Sequence, residues 1–224
     1  MHSLFETLDF SQPFDDSIEE GFKVALERSG YSHKWLPSIS SMVRAVLAVP
    51  LSTEDAPFTL GGLNPGEWRT EMEFFFPLRF VDPQRLSSLS GEPLHPMHLD
   101  FTPVRGMLIG YMDMVFQAGG RYWLLDWKSN HLGDSLDSYT QERMREEMHA
   151  HHYDLQYLLY TVALHRYLSV RIPDYSYSTH FGGVIYVFLR GVDESTGENR
   201  GFYRARPSEE LVNSLTEILI ETGG

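Results

Sequence analysis

Asp113, Asp126 and Lys128 are the residues whose types and spacing most suggest chemistry. They fall in RGMLIGYMDMVFQAGGRYWLLDWKSN, residues 105–130, and Lys128 is one of only three lysines in the chain. Two strand-like runs flank Gly119-Gly120, a dipeptide suited to a two-residue hairpin turn that needs positive φ. A turn centred there pairs Gln117 with Tyr122, Val115 with Leu124, and Asp113 with Asp126. Strand alternation puts Lys128 on the face of Asp126 and leaves Met112, Met114, Phe116, Trp123, Leu125 and Trp127 on the other. Carboxylates directly opposite each other, with Cβ atoms about 4.5–5.5 Å apart, destabilise a hairpin unless a cation lies between them. Hard divalent cations take oxygen ligands, and Mg2+ commonly accepts one or two carboxylates while keeping several waters. A solvated hairpin face has the same residue types, and spacing alone leaves both readings open.

Around the hairpin stand the elements that must position it. The first fifty residues read as helical. Ile18, Phe22, Ala25 and Leu26 share one helical face, with Asp16 or Ser17 as N-cap and Gly30 as stop. Ile39, Met42, Val43, Val46 and Leu47 mark a second helix that ends before Pro50. Residues 51–69 read as a loop. From Glu71 to Phe80 the period becomes two, with Met72, Phe74, Phe76 and Leu78 alternating against Glu71, Glu73, Phe75 and Pro77. Residues 82–100 read as an irregular connection. Beyond the hairpin, 140–148 and 154–170 read as helices, the second with Leu155, Leu158, Leu159 and Val162 on its apolar face. Gly182 to Arg190 is a continuous apolar run of the kind found in strands buried on both faces. A final helix, 208–221, uses Leu211, Leu215 and Ile218. With no repeat and no dividing linker, the economical reading is one α/β domain with a helical N-terminal portion.

Composition narrows the function. The chain has 224 residues, 42% of them hydrophobic and 22% charged, the balance of a globular domain. No apolar run approaches the ~20 residues of a membrane span, and the N-terminus lacks the basic start and apolar core of a signal peptide. The expectation is a soluble, cytoplasmic domain. The absence of cysteine excludes disulfides, zinc–thiolate sites, iron–sulfur clusters and a cysteine nucleophile. A net charge of −13 argues against a free-standing module that holds DNA by broad phosphate neutralisation. It leaves room for an enzyme that meets nucleic acid through metal ions, or one delivered to it by a partner.

Asp113 followed by Asp126-Trp127-Lys128 resembles the Asp…(Asp/Glu)-x-Lys signature of the PD-(D/E)XK nuclease superfamily. The surrounding text is more specific. GYMDMVF, RYWLLDWKSN, YDLQYLLYTVALHRYL and HFGGVIYVFLRGVD closely resemble the C-terminal nuclease domain of the RecB family, the helicase–nuclease subunits of RecBCD complexes, also called exonuclease V. The similarity runs from HSLFETLDF to the final helix. It implies a PD-(D/E)XK nuclease-like core, with a central mixed β-sheet flanked by helices. It further implies a single RecB-type nuclease domain over 1–224, its helical N-terminal part at about 1–50 and its core at about 70–224.

The resemblance also assigns roles. Asp113 and Asp126 match the metal-binding aspartates, Lys128 the catalytic lysine, and His2 the histidine that such nucleases contribute to the metal. The backbone carbonyl of Trp127 completes the protein ligands. Gln156 and Tyr160 match a QxxxY element that supports the site or contacts DNA, and their i, i+4 spacing puts them on one helical face. The family's acid on the preceding strand matches Glu71 first and Glu73 second. Their shared strand face leaves that choice open. The implied cofactor is Mg2+, with Mn2+ or Ca2+ able to occupy the site and Ca2+ non-productive.

The implied activity is metal-dependent hydrolysis of DNA phosphodiester bonds, chiefly in single strands delivered by a helicase. Its setting is double-strand break repair by homologous recombination and degradation of foreign DNA. The implied partners are single-stranded DNA, double-stranded ends in the full complex, RecC- and RecD-type subunits and a RecA-type recombinase, with no membrane. No GxxxxGK[ST] phosphate loop is present, so the chain reads as an excised nuclease domain without the helicase motor. A non-catalytic docking module for RecA or partner subunits is the alternative, and an endonuclease of the restriction type a third. The run His149, His151, His152 reads as an exposed helix end. Arg200, Arg204 and Arg206 read as a solvated face or a contact for DNA or a partner.

Overall fold

The computed structural model describes residues 2–6, 8–12, 14–28, 30–53, 56–81 and 104–220, excepting the side chains of residues 2, 3, 78–81, 104 and 105. In chain order the elements are α1 (His2–Glu6), α2 (Asp16–Arg28), α3 (Leu36–Ala48), β1 (Trp68–Val81), β2 (Val104–Ala118), β3 (Arg121–Lys128), α4 (Gln141–Ala150), α5 (Tyr153–Arg171), α6 (Tyr177–His180), β4 (Phe181–Phe188), β5 (Phe202–Ala205) and α7 (Glu209–Leu219). The five strands form one sheet in the order β1-β2-β3-β4-β5. Only β3 and β4 run parallel; the other neighbours are antiparallel. A tight turn cannot join parallel neighbours, so a crossover containing α4 and α5 connects them. The result is an α/β fold whose mixed sheet is flanked by helices, the arrangement expected of a PD-(D/E)XK-like core.

The hairpin forms where its glycines place it. Gly119 and Gly120 have φ of 58° and 72°, the two positive angles of a tight hairpin turn. The register follows the expected one where it forms: Gln117 opposes Tyr122 and Val115 opposes Leu124, but the last pair is Met114 with Leu125, so the expected Asp113–Asp126 pair is not part of the ladder.

Each face of the sheet is covered by helices. On one, Leu124, Val184, Tyr186 and Phe188 pack with Met144 and Met148 of α4, Leu158 and Val162 of α5, and Leu211 and Leu215 of α7. On the other, Met114, Phe116, Trp123, Leu125, Trp127, Ile185 and Val187 pack with Phe5 of α1, Phe22 of α2, and Val43 and Val46 of α3. The helical N-terminal portion is therefore one outer layer of the sheet.

Several details depart from the sequence reading. Asp15, not Asp16 or Ser17, caps α2: its Oδ1 accepts from the Ser17 and Ile18 amides at 3.0 and 3.2 Å. The stretch read as loop from 51 to 69 contains a bridge between Leu51 and Phe58, and β1 begins inside it at Trp68. Three short elements, α1, α6 and β5, were not expected. The connection over 82–100 lies outside the described residues, and the last helix ends at Leu219, with Ile220 already extended, short of the expected Glu221.

Met112 also departs. It joins the core shared with α5 and α7, while Met114 and Phe116 join the opposite one. On β1, likewise, Trp68 packs on the N-terminal side and Met72, Phe74 and Phe76 on the other. An unbroken strand would keep residues two or four apart on one face. The facing therefore inverts between Thr70 and Met72 on one strand and between Met112 and Met114 on its neighbour. The register is unchanged across the inversion, since Thr70 opposes Met114 and Met72 opposes Met112. Glu71 and Asp113 are the residues at the inversion, and Glu71 has φ of +49°.

The short α1 is held by one aromatic contact. Phe5 is fully buried and stacks on Trp127, with ring centroids 4.0 Å apart and planes at 18°. Phe10 lies parallel to the same indole at 6.4 Å. Truncating a buried phenylalanine removes its transfer free energy and leaves a cavity, so Phe5→Ala is expected to destabilise the fold by about 3–5 kcal/mol. Denaturant unfolding of the variant beside the parent checks this; a midpoint change worth under about 1 kcal/mol would show that α1 is not anchored by Phe5.

Candidate active site

The last turn of β3 buries two opposite charges side by side. Asp126 and Lys128 are 3% and 8% exposed, and Lys128 Nζ lies 2.6 Å from Asp126 Oδ2. Both project to the face covered by α5, as alternation from Leu124 requires. A buried ammonium needs partners for its three donors. The second is Gln156 Oε1 at 3.1 Å. Around the rest, the ring of Tyr153 lies 3.8 Å from Nζ and that of Tyr186 5.0 Å, presenting π-faces that attract a cation.

Gln156 ties these groups together. Its Oε1 also accepts from Tyr186 OH at 3.0 Å, while its Nε2 donates to Tyr160 OH at 2.9 Å. The i, i+4 pair expected on α5 is thus a bonded pair turned toward β3. Tyr160 continues the chain to β1, its ring edge-on to Phe74 at 5.5 Å. Burial holds the Tyr186 hydroxyl well above the usual phenol range, and Asp126 adds to the effect. Tyr160 is raised by burial too, opposed by its bond from Gln156 and reinforced by the charges of Asp126, Asp113 and Glu71. Both phenols are therefore neutral at ordinary pH, Tyr186 donating to Gln156 and Tyr160 accepting from it.

Asp113 stands where the hairpin ladder ends. Past the last β2–β3 pair, the amide of Trp127 donates to Asp113 Oδ2 at 2.9 Å, so a side chain takes the place of a ladder carbonyl. Asp113 and Asp126 act together on both Tyr160 and Tyr186. Of the two candidate acids on β1, Glu71 acts on both Tyr160 and Tyr111, and Glu73 accepts from Tyr111 OH at 3.2 Å. The facing inversion falls at Glu71, next to Glu73 on the same strand.

Among the described residues, no three His, Cys, Asp or Glu side chains gather as a ready-made metal-binding group. His2 opens α1, which Phe5 docks beside Trp127, but the His2 side chain lies outside the described residues. What the site offers a cation is charge and donor type: Asp113, Asp126 and Glu71 against the single ammonium of Lys128. These hard oxygens, with the neighbouring Trp127 carbonyl, are the donor chemistry that Mg2+ accepts beside water.

Two groups singled out in the sequence fall elsewhere. His149 pairs with the buried Asp154, and His151 with Glu147 at 3.0 Å, so both histidines serve the α4–α5 junction. Arg200 pairs with Asp137 at 3.7 Å, apart from Arg204 and Arg206. Tyr153 and Tyr186, which enclose Lys128, were missed. A signal existed for Tyr186: it is the one hydroxyl in the apolar run GGVIYVFL, and it lies level with Asp126 across the parallel pair.

No protein-family model matches the chain. Curated proteins do. It is 44% identical over 225 residues to RecBCD enzyme subunit RecB of Escherichia coli K12, covering 97% of this chain and 18% of that protein. RecB of Haemophilus influenzae is 35% identical over 222 residues, again 97% of this chain and 18% of the relative. The chain belongs to the RecB family. RecB of Mycobacterium tuberculosis H37Rv matches over 123 residues at 42%, which is 52% of this chain. The chain spans under a fifth of the length of these RecB relatives.

Two consequences of the geometry are measurable. The left-handed region costs an ordinary L-residue about 1–2 kcal/mol, so Glu71→Gly is expected to raise stability by up to about 1 kcal/mol, while Glu71→Gln leaves it near the parent. Equal stability of both variants in thermal unfolding would place no strain at Glu71. Replacing Gln156 with methionine strands the Lys128 ammonium and the Tyr186 hydroxyl, and each missing partner costs about 1–3 kcal/mol. Gln156→Glu keeps acceptors for both and is expected to recover most of that loss in denaturant unfolding.

Proposed function

We propose that the chain is a Mg2+-dependent deoxyribonuclease domain of the RecB type, hydrolysing phosphodiester bonds of single-stranded DNA. The observation that carries the reading is the buried Asp126–Lys128 pair held by Gln156, with Asp113 bonded to the intervening Trp127 amide, on a chain of RecB ancestry. On this reading residues 1–224 act as one domain, within a longer protein that works with RecC- and RecD-type subunits and serves a RecA-type recombinase in DNA repair.

Asp113, Asp126 and the Trp127 carbonyl would hold the cation, with His2 added by resemblance. When bound, Mg2+ offsets charge on the phosphate and makes a coordinated water more acidic. The protein's own contribution is positional. Asp126 and Gln156 take two of the three N–H donors of Lys128, and the third, now beside the Tyr153 ring, would turn to the scissile phosphate or the attacking water when substrate binds. Tyr153 and Tyr186 keep solvent from the ammonium, so its field acts at low dielectric, where a fixed charge is worth most. Gln156 sets the height of the lysine against β3, and Tyr160 fixes Gln156 in turn. Asp113 holds the Trp127 amide, and with it the backbone between the two site residues of β3.

A docking module for a recombinase would suit the net charge of −13, but it has no use for a buried, enclosed lysine paired with an aspartate. The two readings part in one assay. Mg2+-dependent cleavage of a single-stranded oligonucleotide is expected to fall at least about 100-fold in Asp113→Asn, Asp126→Asn and Lys128→Met, the loss typical when a group that stabilises transition-state charge is removed. Cleavage undiminished in Asp126→Asn would refute the assignment.

A further inference from the structure

At the opposite end of β3 from Asp126 the surface opens into a cleft of about 420 Å³ that the site above does not use. Its walls include Arg121, Arg204, Arg206, Trp123 and Ser52. Three of the chain's fifteen arginines thus meet in one cleft of a molecule that is acidic overall. Arg121 and Arg206 come from separate strands and loops yet donate to the same oxygen, the Ser178 carbonyl, at 2.6 and 2.8 Å. Their guanidinium nitrogens are therefore no farther apart than those two bonds laid end to end. Like charges held this close repel, and an anion between or beside them relieves the repulsion.

Arg204 is fixed on the third side. It donates to the Ser52 carbonyl at 2.5 Å, pairs with Glu198 at 3.1 Å, and lies 5.3 Å over the ring of Trp123. The floor is kept flat by Gly182, where any Cβ would run into the indole of Trp123. Planar, pre-positioned guanidinium groups suit the tetrahedral oxygens of phosphate, which accept paired N–H donors.

We propose that this cleft binds the phosphodiester backbone of a nucleic acid strand, at a second point of attachment separate from the acids. The choice of nucleic acid over another polyanion rests on the nuclease reading. Arg121 opens β3 and Asp126 lies five residues on, about 17 Å along the strand at ~3.3–3.4 Å per residue. A grip that far from the acids holds the strand away from the bond being cut. It supplies locally the attraction for phosphate that a net charge of −13 denies to the molecule as a whole.

The test is binding of a fluorescent single strand of about twenty nucleotides to the full chain in chelator, where cleavage does not interfere. Arg121→Gln with Arg206→Gln is expected to lower affinity about tenfold and to flatten the slope of log affinity against log salt by about 0.7 for each phosphate that is no longer neutralised. Arg206→Lys, which keeps the charge, is expected to retain most of the slope. Arg206 is exposed, so Arg206→Gln alone serves if the double variant does not fold. Unchanged affinity and slope overturn the proposal, as does displacement of the strand by poly-glutamate as readily as by competing oligonucleotide. Cleavage persisting in Asp126→Asn removes the nuclease reading; unchanged strand binding in the arginine variants removes this cleft alone.

Discussion

A lysine and an aspartate share the dry interior between β3 and α5, and much of the surrounding structure answers to that constraint. Removing two charges from water costs several kcal/mol each, and their attraction repays this only with good geometry and further hydrogen bonds. The Lys128–Asp126 contact at 2.6 Å supplies the first condition. Gln156 supplies the second, and its amide has a fixed orientation because Tyr186 and Tyr160 occupy its two ends. Tyr186 must stay neutral to donate, which its burial ensures. The helix that carries Gln156 is thereby set in height and rotation against the sheet by a polar network rather than by apolar packing alone.

The alternate residues of β3 do the complementary work. Trp123, Leu125 and Trp127 face the N-terminal helices. Trp127 lies between Asp126 and Lys128 in sequence, so the stack with Phe5 clamps the same stretch of backbone from behind. One strand thus joins the two layers: its even residues form the site, and its odd residues brace it.

Much of this was legible in the sequence because the signals were local. The two glycines determine the hairpin and its register, and period-3.6 apolar patterns mark α2, α3, α5 and α7. β5 and α6 escaped because four residues are too few to show a period. The facing inversion escaped for a different reason. Alternation assumes an unbroken pleat, and neither Glu71 nor Asp113 is a residue type that announces a break; glycine would have. That misplacement put Met112 on the wrong face. The enclosure of Lys128 by Tyr153 and Tyr186 depends on α5 lying against β4, a tertiary fact with only the stray hydroxyl of Tyr186 to hint at it.

The parallel pairing of β3 with β4 bears on how the molecule is made. Between Lys128 and Phe181 the chain runs through three helices, α4, α5 and the short α6, before β4 can lie against β3. Non-local pairing of this kind forms late, because the entropy of closing so long a loop is lost before any contact compensates it. The hairpin brings Asp113 near Asp126 early, since only two glycines separate its strands. Gln156, Tyr153 and Tyr186 reach Lys128 only when the crossover closes. A nascent or partly unfolded chain therefore displays the acids without the enclosed lysine. On the nuclease reading proposed above, the chemistry is available only to the finished fold, a safeguard for a cell whose own DNA would be a substrate.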